Sequence, residues 1–138
     1  MKKVEVYDYN LPGYAKLFSY QEWRIAMLNY INHLEVEKIN YCEAHEATDE
    51  VFVLLEGECT IILMEYNYPD SSNKFILIEM EKNKIYNIPK GTFHNHVLSL
   101  DAKVLIIEQE DTSDDNSVRV YFDSNDQNEL LRKWRSAK

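Results

Sequence analysis

Apolar positions along this chain fall into short runs separated by turn-forming clusters. The runs are Trp23 to Ile31, Val51 to Leu55, Cys59 to Tyr66, Phe75 to Met80 and Lys103 to Glu108, each rich in Ile, Leu, Val and aromatic residues. Their lengths are those of strands rather than helices. Between them stand Glu56-Gly57, the loop Tyr68 to Asn73, Lys82-Asn83 and Pro89-Lys90-Gly91, all of which are turn chemistry. Strands joined by short turns predict an all-β antiparallel sandwich or barrel.

The period changes only near the end of the chain. Ser124 and Gln127 have the spacing of a capping box, Leu130, Leu131 and Trp134 fall on one helical face, and Arg132, Lys133 and Arg135 suit the negative end of a helix dipole. One short α-helix is expected from about 125 to 135, with Leu130 and Trp134 covering an open edge or end of the sheet structure. No repeat or linker interrupts the pattern, so one domain is expected over residues 1–138, with a barrel core from about 30 to 122.

Composition narrows the class of partner. With 24 acidic and 15 basic side chains the formal charge is −9, which repels a phosphate backbone or an anionic lipid surface. Nucleic acid and membrane are therefore not expected partners. No apolar run approaches the length of a bilayer span, and MKKVEVYDYN has no apolar segment behind its basic pair. Cys42 and Cys59 are the two cysteines, too few for a disulfide framework, and are expected as free thiols. These features lead to the expectation of a cytoplasmic protein.

Candidate chemistry concentrates in two stretches. In the first, Glu43 and His45 are two residues apart and share one face of a strand, and Glu50 can return to that face from further on. In the second, Pro89-Lys90-Gly91 sets up a strand that begins at His94, with His96 the next residue on the same face. Phe52, two residues beyond Glu50, is expected to line the same pocket, although ordinary core packing explains it equally well.

These two stretches resemble the paired motifs of the cupin family. HEATDEVFVLLEG supplies His45, Glu50 and Gly57 at the family's spacings, and KNKIYNIPKGTFH supplies Pro89, Gly91 and His94. The resemblance spans roughly residues 41 to 108 and implies a cupin jelly-roll β-barrel, also described as a double-stranded β-helix. It departs from the pattern at Glu43, where the family has a first His, at Asn83 in place of the opening Gly of the second motif, and at Leu98 in place of its final Asn.

What the resemblance implies for function follows residue by residue. Glu43, His45, Glu50 and His94 would hold one divalent metal, with Fe, Mn, Ni, Cu and Zn all compatible with a mixed N/O shell. Glu43 and Glu50 are also candidates for acid–base work, with His96 and Phe52 as further pocket residues. A variant site built from His45, His94 and His96 remains open, as does loss of the metal with retention of the pocket. The function implied is binding of a polar small molecule, a sugar or carboxylic acid, in the barrel mouth. Whether the protein is an enzyme stays open: one reading is a metal-dependent isomerase, epimerase or dioxygenase, the other a non-catalytic, metal-free binding or sensor module. Homodimerisation is implied too, with Val4 to Tyr20 as a surface that could serve it.

Other constellations are weaker. Cys42 and His45 lie three apart, on opposite faces of a strand, which argues against a thiol–base pair. Asp111 to Asn116 lacks the glycine of a calcium loop and reads as a solvated acidic turn. His33, in the alternation His33 to Glu37, is assigned no role, and Trp23 and the tyrosines suit either a ligand wall or a barrel core.

Overall fold

A computed structural model describes residues 3–66 and 74–138. The turn expected at 68–73 lies outside the described residues. Ten strands are present among those described: β1 (Gly13–Tyr20), β2 (Trp23–Asn29), β3 (Tyr41–His45), β4 (Glu50–Glu56), β5 (Cys59–Glu65), β6 (Lys74–Glu79), β7 (Ile85–Ile88), β8 (His94–Leu98), β9 (Lys103–Gln109) and β10 (Ser117–Tyr121). One helix follows, α1 (Ser124–Ala137). They form two five-stranded sheets, ordered β1-β2-β9-β4-β7 and β10-β3-β8-β5-β6. Every pairing is antiparallel. The expected all-β architecture with a closing helix is what forms.

Alternation along the strands divides each sheet into two faces. Inward residues of both sheets build one apolar cluster that includes Ala26, Phe52, Leu54, Ile61, Leu98, Val104 and Ile106. The outward face of the second sheet builds another from Cys42, Ile62, Met64, Phe75 and Val97, joined by Val36 and Ile39 and closed by Leu130 of α1. The helix therefore covers a sheet face, with Trp134 packed against the same cluster and Lys133 Nζ donating to the carbonyl oxygen of Phe75 in the edge strand β6. The expectation of a simple edge cover is corrected to that extent.

The helix start is also corrected. Asp123 is the cap: its carboxylate accepts from the Asp126 N–H at 2.8 Å, and Asp126 returns the bond to the Asp123 N–H at 3.1 Å. A carboxylate at this position both satisfies an orphan donor and meets the positive end of the dipole, so it outcompetes the Ser124 hydroxyl and starts the helix one residue early.

Two further differences have local causes. β1 escapes a periodicity reading because a bulge between Lys16 and Phe18 breaks its alternation, yet it pairs along β2 as the edge of the first sheet. The alternation around His33 is two 3₁₀ turns, Asn32–Leu34 and Val36–Lys38, with Val36 buried. Gly57, the closing glycine of the first motif, has φ +71°, and a Cβ there would meet the Ala102 backbone at 2.7 Å. Asn83 has φ +68°, which explains how it stands in for a glycine: Asn is among the few other residues that tolerate the left-handed region.

Candidate functional site

Three inward positions at one level of the barrel, His45, Glu50 and His94, bring ligand-type atoms together above an apolar core. Glu50 opens β4 and His94 opens β8, while Pro89-Lys90-Gly91 is tied back to the chain by Gly91 N–H donating to the His45 carbonyl oxygen at 2.8 Å. His45 ends β3. Its ring centroid lies 5.5 Å from that of His94. Glu50 Oε1 sits 3.3 Å from His45 Nε2 and 3.0 Å from His94 Nε2, and one ligand atom from each of the three residues lies within 4.8 Å of the others. All three residues are buried.

The hydrogen bonds on the far side of each imidazole decide what these atoms offer. His94 Nδ1 is 2.9 Å from the Thr92 carbonyl oxygen, which can accept but not donate. His45 Nδ1 is 2.8 Å from Ser117 Oγ, whose own proton goes to the Ser113 carbonyl oxygen at 2.7 Å. Both Nδ1 atoms are therefore the N–H donors, and both Nε2 atoms present lone pairs to the Glu50 carboxylate. Three acceptor atoms turned on one another require positive charge between them: either extra protons on the imidazoles or a cation. The residues fit a divalent metal, with the outer hydrogen bonds that orient ligating histidines already made.

Without a metal, protons on the imidazole Nε2 atoms would supply that positive charge and turn the contacts with Glu50 into hydrogen bonds. Burial opposes charge on Glu50, but hydrogen bonds from His45, His94 and Glu108 outweigh it and hold its carboxyl well below the usual range. Burial works against the charged form of His45 as well, yet the hydrogen bond and charge of Glu50, with Glu43 and Glu108 behind it, raise its pKa.

Glu43, the residue in the family's first-His place, is turned elsewhere. Its Oε2 accepts from Arg119 Nε at 2.8 Å and its Oε1 is 3.7 Å from His45 Nε2, which puts it beside the triad and outside the three converging atoms. Arg119 also lies over the Tyr41 ring, 4.6 Å from its centroid, and pairs with Asp114 of the acidic turn. Phe52 is buried one step below Glu50, its ring 6.1 Å from His94 and 5.6 Å from His96. His96 lines the same cavity but is not one of the three converging residues. Cys42 faces the helix side of its sheet, and burial pushes its thiol up to about 12.

Periodicity reasoning missed a third carboxylate. Glu108, at the end of β9, faces Arg24 of β2 in register. Arg24 donates to Glu108 Oε1 from Nε (3.1 Å) and Nη2 (2.7 Å), and Tyr14 donates its hydroxyl to the same oxygen at 2.8 Å. Burial, then the hydrogen bond and charge of Glu50, push Glu108 up to about 7 against the pull of Arg24 and Tyr14. With Oε1 saturated by three donors, Oε2 is the atom left to carry the proton shared with Glu50. Following the inward alternations Leu28, Ala26, Arg24 and Val104, Ile106, Glu108 to their ends would have found this pair.

These groups line a cavity of about 460 Å³, together with Leu28, Ile31, Leu34 and Ile106. A more open depression of about 780 Å³ around Gly57, Glu58, Glu79 and Asp101 has acids but no converging imidazoles.

No protein-family model and no curated protein sequence matches the chain. Solved structures do. A cupin-2 domain protein from Shewanella frigidimarina is 22% identical with a TM-score of 0.52, over 74% of this chain and 85% of that one. Pac13, a nucleoside dehydratase from Streptomyces, gives a TM-score of 0.55 at 9% identity over 84% and 85%. Hydroquinone 1,2-dioxygenase from Sphingomonas sp. TTNP3, solved with 4-hydroxybenzoate bound, gives 0.54 at 16% over 75% and 69%.

Proposed function

From a chain with the cupin fold, we propose a metal-dependent enzyme that moves protons on a small polar molecule held in the barrel mouth. The observation that carries this reading is the convergence of His45 Nε2, Glu50 Oε1 and His94 Nε2 with the Nδ1 protons of both imidazoles already committed. A divalent ion bound there supplies Lewis-acid polarisation of a substrate oxygen.

The chain's own residues do the rest. Glu108 holds a proton near neutrality, and Arg24 and Tyr14 fix its carboxyl so that Oε2 accepts or returns that proton without searching for a rotamer. Arg24 is itself pinned by the carbonyl oxygens of Glu110 and Thr112, so the acid cannot swing away. Glu43 and Arg119 form a charged lip at the cavity mouth that orients an incoming polar group. Two fold neighbours, Pac13 as a nucleoside dehydratase and QdtA from Thermoanaerobacterium thermosaccharolyticum as a 3,4-ketoisomerase, have activities of this kind and a third is a dioxygenase, so it is the Glu50–Glu108 pair, and not the neighbours, that favours proton transfer.

The Glu43–Arg119 pair favours one alternative, a metal-free binding or sensor module, because the carboxylate in the first-His place is already occupied by a guanidinium. Proton NMR in D₂O separates the two. With metal-loaded protein and a panel of 2-oxo acids, exchange of the hydrogens next to the carbonyl is expected, abolished by chelator and by Glu108→Gln. Binding without metal-dependent exchange contradicts the enzyme reading.

A further inference from the structure

The cavity has two unlike halves. Toward the triad its walls are Glu50, Glu108, Arg24, His45 and His94; away from it they are Leu28, Ile31, Leu34, Phe52 and Ile106. Beside those apolar walls stands the imidazole of His96, on β8 two residues in from His94 and edge-on to Phe52 at 5.6 Å. Its ring makes no hydrogen bond among the described residues: Nδ1 is buried without a partner, while the backbone N–H of the residue donates to Asn95 Oδ1. The neighbouring amide of Asn95 is spent on the Tyr41 carbonyl oxygen and cannot serve it.

A buried N–H with no acceptor costs more than a buried lone pair with no donor, because acceptors are the groups that proteins leave under-satisfied. That preference puts the proton on Nε2, the ring nitrogen that is not sealed. His96 thus presents a single donor into an otherwise apolar chamber. A polyhydroxylated ligand would strand its hydroxyls against Leu28, Phe52 and Ile106 without partners. A flat apolar ring with an oxygen at its far end would not.

We propose that the substrate is a ring-bearing amphipath: its polar head at the triad end, its ring against Phe52, Leu28 and Ile106, and a far oxygen accepting a hydrogen bond from His96 Nε2. The functional reading above enters only in where the head group sits; the ring and the far oxygen stand on the apolar half and His96. His96 is a specificity residue here and takes no part in the chemistry.

Isothermal titration of the full chain, metal-free and zinc-loaded, with 4-hydroxybenzoate, benzoate and glucuronate tests this. All three share a carboxylate head. The expected order is 4-hydroxybenzoate about tenfold tighter than benzoate, the worth of one hydrogen bond to a neutral donor, with glucuronate weakest. His96→Phe should erase the difference between the two benzoates, while His96→Gln, which keeps an amide donor near the Nε2 position, should retain it. A His96→Phe protein that still prefers the hydroxylated ring, glucuronate binding as tightly as either aromatic acid, or no binding of either benzoate overturns the proposal. If zinc fails to load but the preference and its loss in His96→Phe persist in the metal-free protein, the inference stands and the metal reading falls.

Discussion

The same strands build two very different interiors. At one level, β2, β4, β8 and β9 contribute Arg24, Glu50, His94 and Glu108; two residues further along each strand they contribute Ala26, Phe52, His96 and Ile106; two further still, Leu28, Leu54, Leu98 and Val104. β2 pairs with β9 through all three levels, and β4 pairs with β9 through the lower two. What changes is the side chain that the pleat turns inward. The aliphatic level contributes to stability through burial, while the charged level spends it, since each buried ionisable group must find a partner. The scaffold is thus specified by one set of inward positions and the chemistry by another, a few ångströms away on the same strands.

The sharpest way to break this division is to exchange the expected effects. Removing the hub acid by Glu50→Ala should abolish stoichiometric metal uptake, measured by elemental analysis after loading and desalting, because both imidazoles lose their shared carboxylate partner. Leu54→Ala, two levels away and 1% exposed, should cost about 3 kcal/mol in denaturant unfolding and leave metal stoichiometry unchanged. Metal uptake lost in the leucine variant and kept in the glutamate variant would collapse the comparison.

A smaller effect is expected one bond further out. Ser117→Ala removes the hydroxyl that fixes the Nδ1 proton of His45. Metal affinity should fall about 10- to 100-fold in competition with a chelator, the usual cost of losing an outer partner of a ligating histidine. An unchanged affinity would mean that the tautomer is set by something other than Ser117.

Smallest at any single pH step is an effect in the metal-free protein, spread across several pH units. Glu108 holds its proton up to about 7, whereas the unfolded carboxyl releases it near 4.5. The fold then binds more protons than the unfolded chain across this window, so stability falls as pH rises from 4.5 to about 7, by at most about 1.4 kcal/mol per pH unit. Glu108→Gln should flatten that slope in thermal melts. The raised pKa of His45 would remain in the variant as a loss of stability above 6.5.

Much of the fold was legible because strand alternation and turn residues are local signals. Val51 to Leu55 and Cys59 to Tyr66 declare themselves by composition, and Gly57 between them by turn chemistry, for which the close approach of the Ala102 backbone is the structural reason. The start of α1 was misplaced by one residue because two acids, Asp123 and Asp126, cap each other where a serine also offered itself. Within the site, His45, Glu50 and His94 were found through motif spacing. Arg24 and Glu108 were passed over because a lone charge at the end of an apolar run ordinarily marks the strand leaving the core. Only the pairing of β2 with β9 shows that these two ends face each other indoors. The partnering of Glu43 was equally out of reach, since Arg119 lies 76 residues away on β10.

The most direct test is anomalous X-ray scattering from crystals of the protein loaded with zinc and measured on both sides of the zinc edge. One peak per chain, bounded by His45 Nε2, Glu50 and His94 Nε2, is the predicted result. No peak there after loading, or a peak held by other residues, would contradict the account.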